Sequence, residues 1–282
     1  RTSGARASFQ LGRIKAHRGR LRRFWESPGI PTYALSQAQM PREGVDMSKP
    51  AEASVPAIIA ATAAFYVVVL IHLIGQLFSP ASAITEVSQV LLMATLGVKL
   101  WVNTHSPRGW LVQLGLAALF FSWVGDTLPR FLDGDGGFLA MIGGFLIAQA
   151  CYVVAFWPYR KNSILTKPLL IIPYALAAIA LVALCGEGAG SLLVPVIVYA
   201  IVILAMAVLA TGLGPYATAG GIIFLVSDAL IALRAFADFT LPAHGFFVML
   251  TYIVGQGLLV YAIQNISNGQ QAPRHQPAST LR

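Results

Sequence analysis

Two aspartates, Asp126 and Asp228, stand inside otherwise apolar stretches of this 282-residue chain. A charged aspartate at the centre of a membrane helix costs about 2.5–3.5 kcal/mol on insertion scales, so such a residue usually faces a bundle interior or a watery cavity. A pair of carboxylates in that setting suits acid–base catalysis or proton carriage. The structural alternative is plainer: Asp126 pairs with Arg130 one turn away, and Asp228 hydrogen-bonds across a helix interface. The other nine of the eleven acidic residues, Glu26, Glu43, Asp46, Glu52, Glu86, Asp133, Asp135, Glu187 and Asp238, fall in tails, loops or the edges of apolar runs.

Other polar residues gather on matching faces. Tyr252 and Gln256 are spaced i, i+4, and Gln149 and Tyr152 are spaced i, i+3, so each pair shares one side of a helix. Tyr199, and Ser122 one turn before Asp126, complete a candidate substrate-binding set around the two carboxylates. Taken singly, each of these residues also serves as an ordinary helix-packing hydrogen bond. His72 is the only histidine well inside an apolar run, and no HxxxH or HExxH spacing exists, so a zinc site lacks ligands. Serine-hydrolase elbow, P-loop and dinucleotide glycine patterns are missing as well. Cys151 and Cys185 have no CxxC or metal spacing and read as small core residues. Neither a metal nor an organic cofactor is expected.

The elements that must carry these residues are membrane helices. Eight apolar runs approach the ~20 residues that a crossing needs: 56–74, 86–104, 110–128, 138–157, 168–186, 191–210, 216–234 and 245–264. Short Gly, Pro or charged breaks separate them. The expected fold is an all-α polytopic bundle of about eight transmembrane helices over residues 51–266. Asp126 lies 16 residues past Trp110, and Asp228 lies 12 past Tyr216. At ~1.5 Å per residue the two carboxylates reach similar depth, in the outer half of the membrane, where they could share one cavity.

Composition agrees with this reading. The chain is 57% hydrophobic and only 11% charged, with a mean hydropathy of +0.71, which excludes an ordinary soluble protein. Ten of the nineteen Lys and Arg residues lie between Arg1 and Lys49. The net charge of +8 is therefore mostly N-terminal. It suits an anionic membrane surface rather than nucleic acid. Residues 1–50 are expected to be a basic disordered tail, and residues 267–282 a second one. Met47 opens the stretch before the first span, so residues 1–46 read as an extension upstream of a start site. With the basic tail inside, inner loops carry Arg108, Arg160, Lys161 and Lys167, with Lys99 near an inner end. Outer loops carry only Arg130 and Arg234, so both termini are expected to be cytoplasmic in a bacterial cell membrane.

FFSWVGDTLPRF at 120–131, followed by GGFLIAQACYVVAF, and later IIFLVSDALIALRAF with VMLTYIVGQGLL, resemble the YhhN-like family of integral membrane lysoplasmalogenases. The resemblance covers about residues 56–264. Its most specific parts are Gly125-Asp126, Ser227-Asp228, the Tyr252–Gln256 pair and the spacing from Tyr199 to Met206. The sequence departs from the family pattern at Gln149, where a histidine is frequent, and at Ser88-Gln89, where Lys-Pro is usual. The resemblance implies an eight-span hydrolase that cleaves the vinyl-ether bond of lysoplasmalogens, releasing a fatty aldehyde and glycerophosphoethanolamine or glycerophosphocholine.

Two carboxylates fit that reaction. Protonation of the β-carbon gives an oxocarbenium ion, which water captures as a hemiacetal that collapses to aldehyde. One carboxyl must be neutral and one charged, as in glycosidases. Asp126 is assigned as acid and Asp228 as base or stabiliser, with the reverse equally open. Tyr252 and Gln256 would position water or the headgroup. The expected partners are a lysophospholipid substrate and membrane lipid; oligomeric state is not legible. Two other readings stay open: a proton-coupled transporter or lipid-binding membrane protein without hydrolase activity, and a structural protein whose aspartates lock helices together.

Overall fold

The computed structural model describes residues 53–133 and 135–271; the expected N-terminal tail lies outside the described residues. Eight long α-helices account for most of them: α1 Val55–Phe78, α2 Ala83–Val102, α3 Trp110–Thr127, α4 Asp135–Phe156, α5 Ile172–Ala189, α6 Leu193–Ala210, α7 Pro215–Phe236 and α8 His244–Gln271. No strand occurs among the described residues. In hydrocarbon a helix is the local solution that satisfies its own backbone, so these Leu-, Val-, Ile- and Ala-rich runs fold this way.

Seven helical stretches are long and apolar enough to cross a membrane, and the longest, Pro168–Leu213, spans 46 residues. That stretch contains both α5 and α6, which pack against each other. The break is at Gly190, where φ is +49°, a backbone region that an L side chain rarely adopts. The eight expected runs thus correspond to eight α-helices. At the next break Gly214 takes φ +105°, and Pro215 opens α7, a position that needs no N–H.

Large apolar side chains cover the outside. On α1, Tyr66, Val67, Leu70 and Ile74 are exposed, and only Phe65 and His72 are buried. Against lipid tails such exposure carries no hydrophobic penalty. The core lies among α2, α3, α4, α6, α7 and α8, where Leu96, Val112, Phe156, Met206, Phe224 and Leu259 are completely buried.

Small residues let two helix pairs approach closely. A Cβ on Gly144 of α4 would lie 2.7 Å from the Gly125 backbone of α3, and one on Gly255 of α8 would lie 2.9 Å from the Phe224 nitrogen of α7. This is the packing expected where dispersion rather than hydrophobicity joins helices. At the other end α2 and α8 finish side by side: Gln264 donates to the Lys99 carbonyl at 3.3 Å, and Asn268 donates to the Asn103 carbonyl at 3.0 Å. These bonds, with Gln270 donating to the Tyr159 hydroxyl at 3.1 Å, carry α8 to Gln271, past the boundary expected at 266.

Candidate functional site

Asp126 sits in the last turn of α3 and is buried. The Tyr252 hydroxyl of α8 donates to its Oδ2 at 2.8 Å. One turn earlier on α3 and one turn later on α8, Gln256 Nε2 donates to Ser122 Oγ at 3.0 Å. Because α3 and α8 are antiparallel, the i, i+4 pair Ser122/Asp126 meets the i, i+4 pair Gln256/Tyr252 in register. Tyr152 of α4 extends the row, donating to Gln256 Oε1 at 2.6 Å. Ser122, Tyr152 and Gln256 have no exposed surface. The close Gly125–Gly144 contact brings α4 near enough for Tyr152 to take part.

Arg130 lies within electrostatic range of Asp126 but bonds elsewhere. Its Nη2 donates to Gln89 Oε1 at 2.7 Å, and its Nη1 lies 3.9 Å from Glu86. The structural alternative of an Asp126–Arg130 ion pair is therefore not the arrangement seen.

Asp228, in the middle of α7, has a different setting. It is partly buried, and the Tyr199 hydroxyl of α6 donates to its Oδ2 at 2.5 Å. The adjacent Ser227 donates to the Val248 carbonyl at 3.0 Å and ties α7 to α8. A cavity of about 250 Å³ between α5, α6 and α7, lined by Ala177, Leu181, Ala200 and Ala229 among others, reaches Tyr199 and Asp228. A smaller one of about 50 Å³, bordered by Met141 and Phe145 of α4 and Ile231 of α7, reaches the same pair.

The two carboxylates lie within electrostatic range of each other, but Asp126 lines neither of these cavities. Phe145, Phe224 and Tyr252 form a mutual edge-to-face cluster, with ring centroids 5.6–6.5 Å apart. Phe145 borders the smaller cavity, and Tyr252 holds Asp126. The expectation of one shared cavity thus resolves into two hydrogen-bonded settings. Tyr199 belongs with Asp228; Ser122, Tyr152, Tyr252 and Gln256 belong with Asp126. Gln149 is fully buried, with its amide beside the Tyr199 hydroxyl.

Sequence reasoning passed over a third polar cluster. His72 has no exposed surface; its Nδ1 lies 3.0 Å from Ser88 Oγ and 3.2 Å from the Thr85 carbonyl. Gln76 is 3.4 Å from its other ring nitrogen. The available signal was the cost of a histidine in an apolar run, the same signal that singled out the aspartates. Among the described residues no group of three or more His, Cys, Asp or Glu side chains could hold a metal ion. Cys185 is buried and Cys151 is half-buried, both as free thiols.

No curated protein and no solved structure matches the chain. The YhhN family model matches residues 82–263, a stretch that begins at the N-cap of α2 and includes both aspartates and every polar residue gathered around them. By this match over most of its length, this multi-pass membrane chain belongs to the YhhN family.

Proposed function

We propose that the protein hydrolyses the vinyl-ether bond of lysoplasmalogens within the bilayer. Family membership supports the reading at the level of the family. The observation that carries it further is Asp228: a carboxyl bonded on one side to Tyr199 and facing an apolar cavity of about 250 Å³. A lipid hydrocarbon chain is the natural occupant of such a cavity, and a vinyl ether joins that chain to its glycerol.

In this scheme Asp228 delivers its proton to the β-carbon of the vinyl ether. The carboxylate left behind faces the oxocarbenium ion and takes a proton from the attacking water as the new C–O bond forms. The resulting hemiacetal collapses: its hydroxyl proton leaves, the ether oxygen receives one, and aldehyde and glycerophospho-alcohol separate. Asp126, held by Tyr252, supplies a second negative charge within range of the cation. These are the two roles anticipated from the sequence with the acid placed at Asp228, because that residue borders the cavity. Ser122, Tyr152 and Gln256 hold the Asp126 side in register, and Tyr199 orients Asp228.

We place both termini on the cytoplasmic side, following the excess of Lys and Arg in the loops on that side, which sets both aspartates in the outer half of the bilayer. The deciding experiment gives purified full-length protein in detergent a lysoplasmalogen and measures free aldehyde. Wild type should release it, and Asp228→Asn should not. Absence of aldehyde, together with uptake of a lipid or solute into liposomes driven by a pH gradient, would replace the hydrolase with a proton-coupled transporter.

A further inference from the structure

A groove of about 420 Å³ opens between α1, α2, the start of α7 and α8, lined by neither aspartate nor by any residue gathered around them. It runs along α8 from Leu250 to Tyr261. At ~1.5 Å per residue that is about 16 Å, the depth of one leaflet of a hydrocarbon core ~30 Å thick. The two ends differ. Toward the end where α8 begins the walls are apolar, with Leu73 of α1 and Leu250 and Val254 of α8. At the other end Lys99, three residues before the end of α2, meets Tyr216 in the first turn of α7 and Tyr261 of α8. Between them the groove is open at Gly257, where a Cβ would meet nothing within 4 Å.

Charge narrows the choice of occupant. Lys99 Nζ donates to Gln264 Oε1 at 3.4 Å, a neutral partner that engages one of the three ammonium donors. No acidic residue lines the groove, and among the described residues no carboxylate forms an ion pair with Lys99. Tyr216 and Tyr261 meet edge to face with ring centroids 4.9 Å apart, and each carries a hydroxyl donor. The loops at this end are basic as well, with Arg108 after α2 and Arg160, Lys161 and Lys167 after α4. A lysine near a helix end ordinarily snorkels to water beside aromatic belt residues. Here the ammonium and two phenols come from three helices and border one space, which snorkelling does not require.

We propose that this groove binds one anionic phospholipid of the surrounding membrane, with its phosphate at Lys99, Tyr216 and Tyr261 and an acyl chain along α8 against α1. Charge complementarity names the headgroup, and the length of the groove names the tail. A zwitterionic lipid carries its own cation beside the phosphate, which competes with Lys99; an anionic one does not. The lipid fills space between α8 and α1, a helix that buries only Phe65 and His72, so binding stabilises the bundle. The site is separate from the Asp228 cavities and does not rest on the hydrolase reading.

The test adds phosphatidylglycerol or phosphatidylcholine to full-length protein in detergent, counts retained lipid by native mass spectrometry and follows thermal unfolding. Wild type should keep one phosphatidylglycerol per chain, bind it about 5- to 10-fold more tightly than phosphatidylcholine and melt at a higher temperature in its presence. Lys99→Gln should bring the two lipids to equal affinity, and Lys99→Arg should keep the preference. Gly257→Phe, which enters open space, should weaken both lipids while the lipid-free protein melts as wild type does. Equal retention of the two lipids by wild type would overturn the proposal, leaving ordinary boundary lipid only. A preference that survived Lys99→Gln would hand the phosphate to the basic loops, and retention unchanged in Gly257→Phe would put the chain elsewhere. A lipid-free dimer broken by Gly257→Phe would give the groove to a second copy of the chain. If Lys99→Gln failed to fold, Gly257→Phe against wild type would still decide.

Discussion

The two aspartates share a chemistry and differ in almost everything else. Asp126 belongs to a closed side of the bundle, where Tyr252 donates to it and, one turn away, Tyr152, Gln256 and Ser122 are bonded in a row, all five side chains being buried. Asp228 has one tyrosine and two adjoining cavities. A hydrogen-bonded buried network rigidifies a bundle, whereas open space beside a polar pair leaves room for a ligand. The α3–α8 side is therefore built to stay as it is, and the α6–α7 side is built to receive something.

Substituting each carboxylate tests this division most directly. Asp228→Asn should lower aldehyde release by about 10³–10⁴ and Asp126→Asn by nearer 10², the range of proton-transfer groups and of charges acting at a distance. Asparagine keeps an acceptor for the partner tyrosine in both cases, so thermal unfolding in detergent should be nearly unchanged. If the Asp126 variant lost more activity than the Asp228 variant, the roles of the two sides would have to be exchanged. Stability should respond in the opposite sense. Gln256→Leu strands the Tyr152 hydroxyl and Ser122 together, and should cost about 2–3 kcal/mol. A melting temperature equal to that of wild type would show that the row is not a lock.

Helix packing offers a third, smaller test. Gly144→Ala puts a methyl 2.7 Å from the Gly125 backbone and must part α3 from α4, at about 1–3 kcal/mol. Gly143→Ala meets nothing within 4 Å and should be neutral or slightly stabilising, because alanine favours the helix. Equal melting temperatures for the two variants would mean that the close approach does not hold Asp126 and Tyr152 in place.

Much of this arrangement was legible beforehand, and the exceptions have physical causes. Eight apolar runs foretold eight helices, because length and hydropathy decide what can cross a bilayer. Tyr252 and Gln256 were legible as one face, as were Ser122 and Asp126, since 3.6 residues per turn settles that much. Which face meets which was not legible. That depends on how closely two helices approach, and here single glycines, Gly125 with Gly144 and Gly220 with Gly255, decide it. Tyr199 was grouped with the common interior because depth can be counted along a helix, whereas its partner depends on the rotation of α6 against α7. Similar depth also suggested a shared cavity for the carboxylates. The Phe145–Phe224–Tyr252 ring cluster forms by tertiary packing, and no spacing in the chain announces it. His72 was noticed and set aside for want of metal-ligand spacing, while its bonds run to Ser88 and Thr85 on the neighbouring helix.

The mildest test concerns the cavity alone. Ala229 lines the space between α5, α6 and α7 one residue beyond Asp228, and Ala177 and Ala200 face the same space. A cavity walled by alanines has room because its side chains are short, so a larger side chain takes volume without removing a hydrogen bond. Ala229→Phe should leave folding and the Asp228–Tyr199 bond intact. It should lower kcat/KM for a long alkenyl chain by about 10-fold while sparing a short one, the discrimination that a few methylenes support in an apolar pocket. The counterpart belongs on the closed side: Ala118→Phe in α3, where the alanine is completely buried, should lower the melting temperature and leave chain-length preference unchanged. If Ala229→Phe instead slowed all chain lengths equally, the hydrocarbon would have to lie outside this cavity, and the α6–α7 side would keep its carboxyl while losing its claim to the chain.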